Sequence, residues 1–239
     1  MHRIDEHLPF ASRPARRSVR AATLIRPWHD WRSPRTLQWN TVSGIPMGSH
    51  TVEFVGSFPG DVPAMGLPEV AFVGRSNVGK SSALNALLGA RVARVSSTPG
   101  RTQAVNLFRV DGSWAFADLP GYGFANVPEH VRAQWKELVE RYLRTRDRLG
   151  LVVVLVDHRH KAQPLDVEML AMLRRLERPM LVVATKVDKL TRNARAKAKR
   201  VLETGLDAKV LPFSSETGEG IDAVWEAVAA SRTSPAPRR

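Results

Sequence analysis

One stretch, Gly74-Arg75-Ser76-Asn77-Val78-Gly79-Lys80-Ser81, constrains this chain more than any other. Its spacing, GxxxxGK[ST], is that of a loop whose backbone wraps the phosphates of a nucleoside triphosphate. Gly74 and Gly79 let the chain bend until successive N–H groups face one anion. A helix starting at the end of the loop turns its positive end on the same anion. Lys80 adds a full charge at the β- and γ-phosphates, and the Ser81 hydroxyl suits Mg²⁺. The flanks agree, since 69–73 reads as a buried strand and 82–88 as a helix.

Downstream the pattern alternates strand and helix. Asp111-Gly112 between the runs 104–110 and 113–117 is a two-residue hairpin signal. Val131, Trp135, Leu138, Val139, Tyr142 and Leu143 recur at helical spacing. The apolar runs 151–156 and 180–184 suit parallel strands covered on both faces, 209–213 is a shorter one, and 221–230 reads as a closing helix. The expected fold is α/β in three layers: a mostly parallel sheet with one antiparallel hairpin strand and helices on both faces. Ligands of such sheets sit at the carboxyl ends of the strands. Three regions are expected: an Arg/Pro-rich head over 1–48, disordered by composition; one domain over 49–231; and a basic tail over 232–239. Met47, just before the strand-like run 51–55, is an alternative start, while Trp28, Trp31 and Trp39 suit anchoring on RNA bases or on the domain.

Charge narrows the partners. Thirty-six Lys and Arg against 23 Asp and Glu give a net +13, which favours a polyanion, nucleic acid first and an anionic membrane second. The absence of cysteine excludes disulfides and thiolate metal sites, and it fits a reducing cytoplasm, the expected location. No 18-residue apolar run offers a membrane-spanning helix. Arg192, Arg195, Lys197, Lys199 and Arg200 form a basic helical run, either a solvated face or a contact for RNA phosphates. His158 and His160 have no third ligand in view, so a polar role at a strand end is expected rather than a metal pair.

Further motifs follow in order. Asp118-Leu119-Pro120-Gly121 places a carboxylate to hold Mg²⁺ through water and an N–H, that of Gly121, to meet the γ-phosphate. The connector 97–103 is polar; within it Gly100, Arg101, Thr102 and Gln103, with Ala104 after them, are candidate nucleotide contacts, and Thr102 can supply Mg²⁺ with a second hydroxyl. In Thr185-Lys186-Val187-Asp188 the Asp188 carboxylate can accept from the N1–H and N2 amino groups of guanine. Adenine would leave that carboxylate unpaired. The Lys186 stem can lie along the purine, and the backbone amides of Phe213-Ser214-Ser215 can meet guanine O6.

Taken together, GRSNVGKSS, TPGRTQ, DLPGYG, TKVDK, FSS and the strand-end Asp157-His158-Arg159-His160 resemble the EngB/YsxC (YihA) family, of the TrmE-Era-EngA-EngB type, over residues 50 to 230. The resemblance implies a GTP hydrolase that assists assembly of the large ribosomal subunit and is linked to normal cell division and septation. It implies GTP and GDP as ligands, the large-subunit precursor as partner, Mg²⁺ as cofactor, and action as a monomer. Lys80, Thr102 and Gly121 would serve hydrolysis, and Asn77 matches an asparagine that helps bind an activating K⁺. Many relatives place glutamine after the DxxG glycine to orient the attacking water. Here Tyr122 stands there, so slow intrinsic hydrolysis is expected, with Arg101 an alternative charge donor. A second reading stays open, in which GTP orders a ribosome- or RNA-binding module and turnover is incidental. An ATPase or kinase is disfavoured by Asp188.

Overall fold

Strand β2 (Glu69–Gly74) is buried at every residue, and its side chains alternate between two cores. Val70 and Phe72 enter one, Ala71 and Val73 the other. A strand covered on both faces must be apolar on both, which is why this run shows no polar alternation. The computed structural model describes residues 50–92, 104–123 and 128–232. The expectations for the head at 1–48, for Gly100, Arg101, Thr102 and Gln103, and for the tail beyond 232 lie outside the described residues.

The elements are β1 (Val52–Phe58), β2, α1 (Lys80–Leu88), β3 (Val105–Val110), β4 (Trp114–Asp118), α2 (Glu129–Thr145), β5 (Leu149–Asp157), α3 (Pro164–Arg175), β6 (Met180–Thr185), α4 (Arg192–Leu206), β7 (Val210–Pro212) and α5 (Ile221–Ser231). They build one sheet in the order β1-β3-β4-β2-β5-β6-β7. Only β3 runs against the rest, pairing antiparallel with β1 and β4, as expected of a single reversed hairpin strand. Helices α2, α3 and α4 cover one face through Leu138, Leu143, Leu170, Leu173 and Leu202, while α1 and α5 cover the other through Leu84, Leu88, Val224 and Val228.

Three details differ from the sequence expectation. The hairpin loop holds three residues rather than two: Asp111 (φ 50°) and Gly112 (φ 62°) are both left-handed, and the Ser113 N–H closes the turn on the Val110 carbonyl at 3.0 Å. Strand β7 spans three residues, Val210–Pro212, and the Phe213 N–H just past it still donates to Ala184 O of β6 at 2.9 Å. Helix α3 escaped the periodicity reading; Pro164 opens it and Met169, Leu170, Met172 and Leu173 form its buried stripe.

A buried clamp fixes the start of β2. The Glu69 carboxylate accepts from Arg146 Nε at 2.8 Å and from the Tyr142 hydroxyl at 2.9 Å, both at the end of α2. Burial pushes the Tyr142 phenol well up, so it stays a donor. With one end of β2 held this way, its other end, Gly74, has a defined place.

Candidate functional site

Five strands running in one direction end on the same edge of the sheet: β2 at Gly74, β4 at Asp118, β5 at Asp157, β6 at Thr185 and β7 at Pro212. Every strand-end motif within the described residues sits at or just past one of these ends. Sheets of this kind carry their ligands there.

The loop between β2 and α1 is shaped by close approach and by backbone handedness. A Cβ on Gly74 would lie 2.9 Å from the Leu155 carbonyl oxygen on β5 and 2.9 Å from Val78 Cγ1. Asn77 (φ 61°) and Gly79 (φ 101°) are left-handed, a conformation glycine takes freely and asparagine more readily than most. Two side chains at the end of β6 brace the loop from outside. Thr185 Oγ1 lies 2.6 Å from Val78 O and 3.1 Å from Val156 O, sharing its one proton between them. Lys186 (φ 63°) donates from Nζ to Asn77 O at 2.6 Å and pairs with Asp157 Oδ2 at 2.9 Å. The loop carbonyls are thereby held. Among the described residues, no carbonyl accepts from the amides of Asn77, Gly79, Lys80 and Ser81. Such amides at a helix N-terminus form an anion-binding concavity.

Asp157 is the hub of that brace. It accepts from the Arg159 backbone N–H at 3.0 Å and from Arg159 Nε and Nη2 at 2.9 and 2.8 Å. Burial works against its charge, but the hydrogen bonds from Arg159 and Lys186 outweigh burial and hold the carboxyl far below the ordinary range. The sequence places Asp157 only within the family-like strand-end run 157–160; the fold shows it supporting Lys186. On the other side, Lys80 forms a buried ion pair with Asp118, whose second oxygen lies 3.4 Å from Asn106 Nδ2.

The base-reading candidates converge around a cavity of about 140 Å³ lined by Gly79, Lys186, Asp188, Phe213 and Ser215, with Thr185 beneath. Asp188 Oδ1 accepts from the Ser214 hydroxyl at 2.7 Å, and Oδ2 lies 3.1 Å from Lys189 Nζ. Burial opposes its charge, and those two partners hold the carboxyl below its usual value. Ser214 is itself fully buried, its hydroxyl oxygen accepting from the amides of Glu216 and Thr217 at 3.2 and 3.1 Å. One expectation needs narrowing. The Phe213 amide is bonded to Ala184 O and the Ser214 amide to Glu219 O, each at 2.9 Å, and the Phe213 ring lies in the core. Of the three amides expected at guanine O6, that of Ser215 alone has no carbonyl acceptor among the described residues. Val187 is buried beneath the turn, its N–H donating to Phe213 O at 3.3 Å.

Leu119, Pro120 and Gly121 are buried after β4, and Ala104 is half-buried before β3. The Tyr122 phenol is turned toward α3, onto Asp166, at 3.2 Å. His158 is buried with Nε2 3.1 Å from Arg195 O, whereas His160 is exposed. No group of three or more metal-ligating side chains occurs among the described residues. A larger cavity of about 680 Å³ opens between α2 and α3 beside Pro120 and Gly121, floored by Trp135, Val139, Met169 and Met172. It is not where the motifs meet.

A mostly parallel sheet with a phosphate loop after β2, DxxG after β4 and TKxD after β6 is the fold of a P-loop GTPase. A family model described as 50S ribosome-binding GTPase matches residues 69–186. Relatives bearing the name "Probable GTP-binding protein EngB" include one from Acidobacterium capsulatum, 47% identical over 171 residues covering 68% of this chain and 81% of that one. Another, from Geobacter sulfurreducens, is 47% identical over 194 residues covering 77% and 94%. The chain belongs to the EngB family of GTP-binding proteins. Solved structures give the same fold at lower identity: a crystal structure named "probable GTP-binding protein engB" (TM-score 0.58, 24% identity, 68% of this chain and 97% of that one) and Aquifex aeolicus Era bound to GDP·AlF4⁻ (TM-score 0.57, 23% identity, 70% and 57%).

Proposed function

We propose that this protein binds GTP at the shared strand edge, hydrolyses it slowly to GDP and phosphate, and uses the cycle in assembling the large ribosomal subunit. The observation that carries the reading is the double engagement of Lys186, which ties the phosphate loop at Asn77 to the strand end at Asp157, one residue before the turn that presents Asp188. One brace thus sets the spacing between triphosphate and base. The amides of Asn77, Gly79, Lys80 and Ser81 and the Lys80 ammonium grip the β- and γ-phosphates, with Arg75, Ser76 and Val78 shaping the loop. Asp188 accepts two hydrogen bonds from guanine, and Gly121 donates to the γ-phosphate, flanked by Leu119 and Pro120. Gly100, Arg101, Thr102, Gln103 and Ala104 supply further nucleotide contacts.

The Ser81 hydroxyl in the first turn of α1 and the buried Asp118 carboxylate beside Lys80 are hard oxygen donors of the kind Mg²⁺ takes, Asp118 through water and Thr102 as a second hydroxyl. When bound, the ion offsets charge on the phosphate oxygens. Asn77, exposed at a left-handed position, is the K⁺ ligand that the EngB resemblance implies. With the Tyr122 phenol engaged on Asp166, no side chain at that position orients the attacking water, which supports a slow basal rate that K⁺ or the ribosomal particle raises.

The family description and a net charge of +13 support the large-subunit precursor as partner, with exposed Arg192, Lys197 and Arg200 on α4 offering phosphate contacts. No helix of the described residues is long and apolar enough to cross a membrane. Action in the cytoplasm as a monomer, the domain at 49–231 carrying a basic head and tail, and a contribution to division and septation complete the proposal. The Tyr122–Asp166 bond also favours a second reading, a nucleotide-dependent binding module with incidental turnover. Sedimentation with ribosomal particles tests both. Trapping by a non-hydrolysable GTP analogue, with release after GTP turnover, supports the cycle; equal pelleting in GTP, analogue and GDP contradicts it.

A further inference from the structure

We infer that Asp166 is a positioning residue: its buried carboxylate ties Tyr122, next to Gly121, to Arg75 of the phosphate loop, and so sets the DxxG loop where the γ-phosphate is read. The inference rests on the proposed contact between Gly121 and the γ-phosphate.

Asp166 sits in the first turn of α3 and is 2% exposed. One oxygen accepts from the Tyr122 hydroxyl at 3.2 Å, and the other lies 3.3 Å from Arg75 Nε. That Nε is buried and has no aligned hydrogen-bond acceptor of its own, so Asp166 supplies its compensating charge. The backbones are joined as well. Ser76 N–H donates to Tyr122 O at 2.8 Å and Tyr122 N–H to Gly74 O at 3.3 Å. Gly123 follows at φ 80°, so close to α3 that a Cβ there would lie 2.9 Å from Leu165 Cδ1. The residues just after Gly121 are therefore fixed to the phosphate loop by two backbone bonds and to α3 by a phenol and a tight contact.

A ring held only for its apolar surface would need no carboxylate. Burying Asp166 is unfavourable, and burial does push its carboxyl up, as it pushes up the Tyr122 phenol. What the polar link adds is direction, because it fixes the ring's rotation and with it the backbone of residue 122. A ligand that pulls on Gly121 works against this anchor or with it. A ligand lacking the γ-phosphate does not touch it.

The test compares Tyr122→Phe, Asp166→Asn and the double variant by equilibrium titration with GDP and with a non-hydrolysable GTP analogue, Mg²⁺ present. Tyr122→Phe keeps the ring and removes the bond; Asp166→Asn keeps an acceptor for the phenol and removes the charge facing Arg75. The expected result is GDP affinity within about twofold of the parent in all three, and analogue affinity lower by roughly tenfold in Tyr122→Phe. Asp166→Asn falls in the same direction, and the double variant is no worse than the sum of both, less their shared bond. An analogue-to-GDP preference unchanged or raised in both single variants overturns the inference, as does an equal loss for both nucleotides. Failure of the parent to bind either nucleotide overturns the proposed function itself.

Discussion

The ammonium of Lys186 donates to the backbone carbonyl of Asn77 across 2.6 Å, joining the turn after β6 to the middle of the phosphate loop. Its second partner, Asp157, is locked by Arg159, so the brace has a rigid base. Lys186→Met keeps most of the stem and removes both bonds. Affinity for GDP should fall roughly ten- to hundredfold in a direct titration, the range of one or two charge-assisted hydrogen bonds. An unchanged dissociation constant would mean that the loop needs no brace.

In the proposed site, Asp188 and Ser214 divide the labour of base recognition. The carboxylate has lone pairs enough to keep the Ser214 bond while accepting two more from guanine. Asp188→Asn should cost about a hundredfold or more in guanine-nucleotide affinity, because the amide presents a donor to a donor edge. Ser214→Ala leaves the charge and loosens its aim, and a loss of about tenfold or less is expected. Both are read by direct titration with GDP.

Glycine is required at position 74 for space. Gly74→Ala places a carbon 2.9 Å from a backbone oxygen of the central sheet, where nothing can yield cheaply, whereas a Cβ on Gly60 meets nothing within 4 Å. Gly74→Ala should lower stability by about 2 kcal/mol, or about 6 °C in Tm, and Gly60→Ala by less than about 0.5 kcal/mol. Thermal melting of the two variants side by side checks this.

Asp157 carries a pH signature. Its unfolded carboxyl titrates near pH ~3.9, while in the fold burial is outweighed by Arg159 and Lys186 and the carboxyl titrates well below that. A depressed carboxyl contributes stability that is fully present above its unfolded pKa and is lost as pH falls toward its folded one. Asp157→Asn should therefore be less stable than the parent at pH 7, by on the order of 2 kcal/mol. The gap should narrow as pH drops below about 4. Denaturant melts at pH 7, 5 and 3 read it; a gap constant across that range would contradict the assignment.

Much of this was legible in the chain because local rules act alone there. A phosphate loop needs its glycines and lysine at fixed spacing, and β5 and β6 are apolar runs because both their faces are covered. The hairpin was visible through Asp111-Gly112, though its third residue was not, since turn length depends on register with the partner strand. What spacing could not reveal is long-range pairing. Lys186 with Asn77 spans 109 positions, and Thr185 with Val78 spans 107. Asp166 does not stand out in the chain because a single acid near a helix start reads as an ordinary first-turn residue; only burial against Tyr122 and Arg75 distinguishes it. The amides of Phe213 and Ser214 looked available because a sequence does not show which carbonyls already accept from them.

The proposed function turns on a guanine nucleotide held between Asp188 and the amides of the phosphate loop. The most direct measurement is displacement of a fluorescent GDP from the purified protein in Mg²⁺ by unlabelled GTP, GDP and ATP. Displacement by GTP and GDP, none by ATP at a hundredfold higher concentration, and loss of labelled-GDP binding in Asp188→Asn are expected. Displacement by ATP at concentrations comparable to GTP, or labelled-GDP binding that survives in Asp188→Asn, would contradict it.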